Sequence, residues 1–470
     1  MVADYYPLGD VLAVASIHPF YSNAQYPPTR EELPGLLEHI KSSTKPIQLE
    51  SFPLLDKKDL YKHIGRLTVD EDSRNGYRRG TYISVTGGGS GSGPAMAFAT
   101  DSSETRRQRA VFGCFLHRCG ILGPGDWVLT MHVSGKLYRA LDLMTELFES
   151  AGATVLCASD NMQLEHIVTA LAQYRVNTIS GDAGQLVQLA RFISSLPEET
   201  RSDLRVTKAV YTSEAMTPAQ RTFMKSVFPD LAISSVIGSA EAGPWGASTA
   251  EMTESAMDKN YADFLFDDRL MHLEVFSFDV GELDRHDDEQ SAAPVPNGEK
   301  GLLVQTSLQR LRNPLVRYVC GDVASFHPLP DSIKKSLTPE DAEHYRVVRI
   351  YGRDRRLSFD WYGEYFEFTQ VQALLRTESW GVLQYQIIRR HRDDDAEQVE
   401  TVLEVRLLRD VQNSQTSEEE IRDKVERFFV VLDCNRELFE LKFVTAYSEF
   451  IRSTTGRKVI NYVNQTRGKV

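Results

Sequence analysis

Cysteine is scarce: only Cys114, Cys119, Cys157, Cys320 and Cys434 occur in 470 residues. They are scattered and odd in number, which fits reduced thiols and excludes a disulfide framework. Cys114, His117 and Cys119 lie close together, but on a helix positions 114 and 117 share a face and 119 does not. With no second ligand cluster following, they read as helix packing, not as a metal site. Long apolar runs are also lacking: none approaches the roughly 18 residues of a membrane span. The opening MVADYYPLGDVLAVASIHPF has no basic n-region, and Asp4 and Asp10 stand where a signal peptide is neutral or positive. The closing RGKV is neither a lipidation nor a peroxisomal signal, so the expected location is cytoplasmic. Basic residues are outnumbered, 53 against 66 acidic ones, for a net charge of -13. That balance argues against nucleic acid or an anionic membrane as the main partner, yet permits a local cation cluster around a nucleotide. There is no internal repeat and no extensive low-complexity region.

The length predicts two or three domains. From about residue 80 to 240, short β-like runs alternate with helical stretches. The strands are YISV at 82–85, DWVLTMHV at 126–133, ATVLCA at 153–158, NTIS at 177–180 and KAVYTS at 208–213. Helices are expected from about Tyr138 to Ala151 and Leu164 to Tyr174. This is an α/β pattern. From about 268 to 325 the runs MHLEVFSFDV, GLLVQTSL and VRYVCGDVASF suggest antiparallel strands closing the larger body. Composition breaks at YGRDRRLSFDWYGEY, 351–365, and a compact α+β piece follows. In it Leu403, Val405 and Leu407 alternate with Glu404 and Arg406 as in a half-buried strand, and a helix starts at a capping box on Thr416 or Ser417. The expected fold is thus a large α/β N-terminal domain, 1–353, with mixed sheets and a β-rich part, and a small mobile α+β C-terminal domain, 354–470.

Four segments carry candidate chemistry. Asn313 to Val323, NPLVRYVCGDV, ends an apolar run in a Gly-Asp turn. Such a turn can aim Asp322 at the paired hydroxyls of a ribose. Thr86 to Pro94, TGGGSGSGP, is a glycine loop whose N–H groups and Ser90 and Ser92 hydroxyls can converge on an anion. It is neither a Walker A loop nor GxGxxG, and on its residues alone a phosphate cradle and a surface loop both stand. A strand before it and an expected helix after it bring the cradle level with the surface loop. IGSAE, Ile237 to Glu241, follows an apolar run, and its carboxylate suits Mg²⁺ beside phosphate oxygens or is simply solvated. TSEAM, Thr212 to Met216, is a strand-end loop able to pass over a purine.

In this order the segments resemble the acyl-adenylating superfamily of acyl-CoA synthetases, luciferases and peptide-synthetase adenylation domains, and most of all its phenylacetate–CoA ligase-like branch. HPFY at 18–21 and FPLLDKKDLY at 52–61 are similar to that branch's N-terminal region. GPGDWV at 123–128 is similar to its next strand, GLLVQTSL with NPLVRYVCGDV to its strand pair ending in RYxTGD, and YGRDRR at 351–356 to its hinge. The resemblance implies that Glu241 binds Mg²⁺, Asp322 holds the ribose and Arg353 reaches ribose and phosphates. It also implies that Ser90 and Ser92 face the ATP phosphates, Ser213 and Glu214 border the adenine, Ile237 covers a purine face and Gly238 admits the adenylate.

The chain departs from the family in four places. The phosphate-loop lysine is Gly93, the (Y/F)GxxE aromatic is Ile237, and the hinge residue is Arg355. In IRSTTGRKVINY, Arg457 follows Gly456 where the family has its catalytic lysine, and Lys458 comes next. A cation is needed there because negative charge builds on the α-phosphate during attack. Both residues stay candidates, with Lys458 favoured over the planar Arg457. His132, Tyr138, Asp182 and Trp245 are the candidate acid-binding residues, with Lys136 beside them; His272 reads as strand packing. The expected activity is ATP-dependent activation of a small carboxylic acid, aromatic acids included, to an acyl-adenylate, then transfer to a thiol, CoA above all. Transfer to an amine, a nitrogen nucleophile or a carrier protein, or a binding protein that has lost catalysis, are the alternatives, and a homodimer is left open.

Overall fold

The computed structural model describes residues 4–43, 47–85, 96–135, 137–212, 215–216, 218–259, 261–278, 293–354, 358–392, 400–409, 414–451 and 459–466. They fall into two compact units, one running to Gly352 and the other from Arg353.

In the first unit the strands are β1 (Thr81–Val85), β2 (Ala97–Asp101), β3 (Trp127–Thr130), β4 (Ser134–Gly135), β5 (Tyr138–Arg139), β6 (Thr154–Cys157), β7 (Thr178–Asp182) and β8 (Lys208–Thr212). They continue with β9 (Ala232–Ser239), β10 (Gly243–Ser248), β11 (Ala262–Asp267), β12 (Met271–Phe276), β13 (Gly301–Ser307), β14 (Tyr318–His327) and β15 (Tyr345–Arg353). One 11-stranded sheet takes most of them, in the order β12-β13-β14-β15-β11-β10-β9-β8-β7-β3-β6. The β6-β3-β7-β8-β9 half is parallel, and antiparallel pairing begins at β9–β10. The expected β-rich part is therefore a continuation of the α/β sheet. The parallel half buries short apolar strands such as AVY at 209–211 against helices; Leu186, Leu189, Ala190 and Ile193 form the inward stripe of the helix Ala183–Ser194. A 3–4 residue spacing on the helix meets continuous apolar runs on the strands, the pattern of a sheet covered on its faces.

The segment after the glycine loop differs from expectation. β2, not a helix, leaves it, and β1 and β2 pair antiparallel from Thr81↔Asp101 to Val85↔Ala97. The helix begins at Ser102, because the Asp101 carboxylate accepts from the N–H groups of Ser103 and Glu104 and caps it there. The β-branched and aromatic content of YISV and AFAT suits a hairpin.

The second unit has its own core around Phe359, Trp361, Phe366, Trp380, Val405 and Phe428. It holds the hairpin β16 (Ser358–Trp361) and β17 (Glu364–Glu367) and a sheet of β18 (Val382–His391), β19 (Thr401–Arg409), β20 (Phe439–Val444) and β21 (Tyr462–Asn464), ordered β20-β19-β18-β21. The helix Glu418–Phe428 starts at Ser417 with a reciprocal capping box to Glu420, which decides between the two expected starts. β19 is not half-buried by alternation: Glu404 is only 2% exposed. Its charge is met by Arg406, Arg390 and Lys442, so ion pairing overrides the hydropathy pattern.

Candidate active site

β9 continues past its last pair with β8, Tyr211↔Ser235, and runs on to Ser239. It then turns back through residues 240–242 into β10, with Gly243↔Ser239 closing the hairpin. Glu241 thus stands beyond the carboxyl edge of the parallel strands, where open α/β sheets place ligands. Gly243 has φ +73°, and a Cβ there would lie 2.5 Å from Gln108 Oε1. The turn therefore needs glycine for both space and backbone conformation. Gln108 Nε2 donates to Ala242 O at 2.9 Å, and Ala242 N donates to Ser239 Oγ at 3.0 Å.

The Glu241 carboxylate is nearly buried and held through one oxygen. Tyr61 Oη donates to Oε1 at 2.7 Å and Tyr318 Oη at 3.2 Å. The guanidinium of Arg310 donates to the Glu241 carbonyl. Arg310 is 4% exposed, and burial pulls its pKa down to about 10 while Glu104 and Glu241 push it back up. Three distant segments meet here: Tyr61 on the helix Lys57–Val69, Glu241 in the hairpin, and Tyr318 at the start of β14.

β14 carries the Gly-Asp step, and it is a bulge inside a strand, not a terminal turn. Leu302 pairs with Val323 and Val304 with Val319, so Cys320, Gly321 and Asp322 together face Leu303. Gly321 takes φ +84°, and bulges of this kind re-aim a side chain. Cys320 Sγ lies 3.4 Å from both Leu303 O and Asp322 Oδ2, and its one S–H can donate to either. The N-terminal segments dock on this strand. Leu55 N donates to Arg317 O at 2.9 Å and Val319 N to Leu55 O at 2.9 Å. Arg317, at φ +46°, donates from Nη1 to Phe52 O at 2.9 Å. His18 Nε2 bonds Asn313 Oδ1 at 3.2 Å, and Val316 N donates to Tyr21 Oη at 2.7 Å.

At the carboxyl ends of β3, β7 and β8 lie His132, Asp182 and Thr212. His132 is buried, with Nδ1 2.9 Å from Thr130 Oγ1 and Nε2 3.0 Å from Thr212 Oγ1. Burial lowers its pKa to about 4, so it is a neutral bridge with both nitrogens engaged. It holds Thr212 and does not present a free nitrogen. Asp182 caps the helix Ala183–Ser194 through a capping box with Gln185, and burial raises its pKa. Tyr138 is raised too, by burial first and then by the charge of Asp182, which puts these two candidates in one neighbourhood. Trp245 sits on the β9–β10 bulge and is a core residue with Ala242 and Phe264, not a free wall. Ile237 packs against the same core, and a Cβ on Gly238 would lie 2.8 Å from Gly243 O, so that glycine serves the hairpin itself. Arg353 ends β15 and is exposed. Ser90, Ser92, Ser213, Glu214, Arg457 and Lys458, with Lys136, Gly93 and Arg355, lie outside the described residues.

Comparison with solved structures decides the architecture. The crystal structure of 2-hydroxyisobutyryl-CoA ligase in complex with 2-HIB-AMP and CoA matches with a TM-score of 0.63 at 16% identity, covering 97% of this chain and 87% of that one. This chain shares the fold of that ligase. An open conformation of the same ligase gives 0.54 at 15% identity, covering 96% and 88%. The amide bond synthetase McbA from Marinactinospora thermotolerans gives 0.50 at 14%, covering 84% and 71%. No protein-family model and no curated protein sequence matches.

The single carboxylate of Glu241 is a donor set compatible with a Mg²⁺ that also carries phosphate oxygens and water. Among the described residues no cluster of three or more His, Cys, Asp or Glu could hold a metal alone, and Mg²⁺ typically takes one or two carboxylates plus phosphate and water. Tyr61, Arg310 and Gln108 were not among the candidates, since their approach to Glu241 is purely tertiary. Nor was Arg221, whose guanidinium donates to the carbonyls of Met216, Ala256, Met257 and Lys259 and anchors the end of the TSEAM segment. No helix among the described residues is long and apolar enough to cross a membrane.

Proposed function

We propose that this protein activates a small carboxylic acid with ATP and passes the acyl group to a nucleophile, CoA first. The observation that supports this most is the linkage of Glu241, through Tyr318, to the bulged strand bearing Asp322, on an acyl-adenylating fold. In the first half-reaction a carboxylate oxygen attacks the α-phosphorus, the α–β P–O bond breaks and pyrophosphate leaves. In the second, a thiol attacks the acyl carbonyl, the bond to AMP breaks and the thiol proton is lost.

Asp322 takes the ribose hydroxyls, with Arg353 reaching ribose and phosphate. Ser213, Glu214 and Ile237 border the adenine, and Gly238 keeps the nearby backbone bare. Ser90 and Ser92 donate to the phosphates. Glu241 would hold Mg²⁺, which screens phosphate charge. Lys458, or Arg457, meets the charge that develops on the α-phosphate, the largest expected electrostatic contribution. Tyr138 and Asp182 face the acid, while His132 fixes Thr212 and Trp245 stiffens the hairpin. The C-terminal domain, 354–470, moves between the two half-reactions; 2-hydroxyisobutyryl-CoA ligase has itself been captured in postadenylation, thioesterification and open states.

Likeness to an amide bond synthetase supports a second reading in which an amine takes the acyl group. Pyrophosphate release with ATP and Mg²⁺ across aryl and small aliphatic acids, with and without CoA or amines, tests both. Release that depends on one acid is expected, with AMP turnover requiring CoA. No release with any acid, despite ATP binding, would overturn the proposal.

A further inference from the structure

Two phenols on one carboxylate oxygen constrain how Glu241 can bind a cation. A carboxylate oxygen has two in-plane acceptor positions. Tyr61 Oη at 2.7 Å and Tyr318 Oη at 3.2 Å are two donors to Oε1. Among the described residues no hydrogen bond reaches Oε2. The carboxylate cannot pivot freely, because the peptide around it is fixed from behind. Arg310 holds its carbonyl, and Gln108 and Ser239 hold the carbonyl and N–H of Ala242. The phenols come from elements that the rest of the unit pins down. Tyr318 is 2% exposed, and its strand is tied to Leu55, two residues before the helix that carries Tyr61.

We propose that Tyr61 and Tyr318 are specificity-determining positioning residues that make Glu241 a one-oxygen metal ligand and so select Mg²⁺ over Ca²⁺. Ca²⁺ takes more oxygens, at longer distances, and often both oxygens of one carboxylate, whereas Mg²⁺ demands a small regular octahedron. With Oε1 occupied by the phenols, only Oε2 is available. That satisfies a Mg²⁺ already carrying phosphate oxygens and water, and denies Ca²⁺ a chelating carboxylate. Removing the phenols frees Oε1 and lets the carboxylate chelate. This rests on the reading of Glu241 as the metal carboxylate.

The test is ATP binding by calorimetry on the full chain without metal, with Mg²⁺ and with Ca²⁺. Wild-type protein is expected to bind ATP more tightly with Mg²⁺ than with Ca²⁺. In Tyr61→Phe the ratio of the two affinities should fall about threefold, and in Tyr61→Phe/Tyr318→Phe about tenfold, from loss of one and two hydrogen bonds. Metal-free ATP affinity should not change. The single variant keeps the test valid if the double, which alters a core residue, fails to fold. Glu241→Gln separates the two levels of the argument. If it removes the metal effect while Tyr61→Phe leaves the Mg²⁺/Ca²⁺ ratio unchanged, the selectivity proposal is wrong and the metal assignment stands. If Glu241→Gln keeps the metal effect, both fall. An equal loss of metal-free ATP affinity in Tyr61→Phe would also overturn the proposal, since the phenols would then support the turn generally.

Discussion

Single side chains carry most of the testable chemistry. Asp322 lies in the β14 bulge, and on the proposed ribose role Asp322→Ala should weaken ATP binding by about 1.5–3 kcal/mol, measured by calorimetry. Unchanged affinity would remove the ribose assignment. His18 and His132 are buried and neutral, their pKa values lowered by burial to about 3 and about 4 from 6.5. The unfolded chain protonates each below about 6.5. The native state resists that proton, so the stability these groups contribute is fully present above pH 6.5 and is lost as pH falls toward their folded values. Each should remove roughly 1.4 kcal/mol per pH unit across that window. Urea unfolding at pH 7 and pH 5 measures the slope, and His132→Gln should make it shallower; an identical slope would mean the imidazole is not held neutral. The pairing of His18 with Asn313 was not legible in HPFY, because it links positions 295 residues apart.

Elements depend on a few local requirements that sequence shows well and on crossings that it does not. Ser417 caps its helix in a box with Glu420, and Ser417→Ala should cost about 1 kcal/mol in unfolding free energy. The β9–β10 turn is more demanding. Gly243→Ala must accommodate a positive φ and a Cβ 2.5 Å from Gln108, so a loss of more than about 1 kcal/mol is expected, together with weaker metal-dependent ATP binding. Thermal unfolding and calorimetry would report the two effects, and a variant that behaves as wild type would show that the turn adapts. Strands such as KAVYT and TVLC were readable because β-branched runs between polar breaks have few other uses. β2 was misread as helix because AFAT is too short to show a period of its own, and its pairing with YISV decides it. Glu404 was misread as exposed because two of its basic partners, Arg390 and Lys442, come from the neighbouring strands and join Arg406 only when the sheet forms.

At the scale of the whole molecule, one sheet changes from parallel to antiparallel at the β9–β10 hairpin, and that change puts Glu241 beyond the carboxyl ends of the parallel strands. The second unit has an independent core, so substitutions near its end should alter catalysis without unfolding the first. Lys458→Ala is expected to slow acyl-adenylate formation at least about a hundredfold in single-turnover pyrophosphate release, while thioester formation from supplied acyl-adenylate is largely kept. Arg457→Ala should have the smaller effect. The reverse order would assign the cation to Arg457.

The sequence by itself determined the alternation of strands and helices, the capping residues and the order of the motifs, since these follow from local hydropathy, turn chemistry and backbone preference. It also carried the acyl-adenylating resemblance, because an ordered set of weak motifs is specific where each alone is not. Only the tertiary structure decided what surrounds the described candidates. It committed both ring nitrogens of His132 to threonines, put Trp245 in the core and brought Tyr61 to Glu241 across 180 residues. The physical reason is range. Caps and strands are set by neighbours along the chain, whereas a carboxylate's free lone pairs depend on donors that arrive only when distant segments pack.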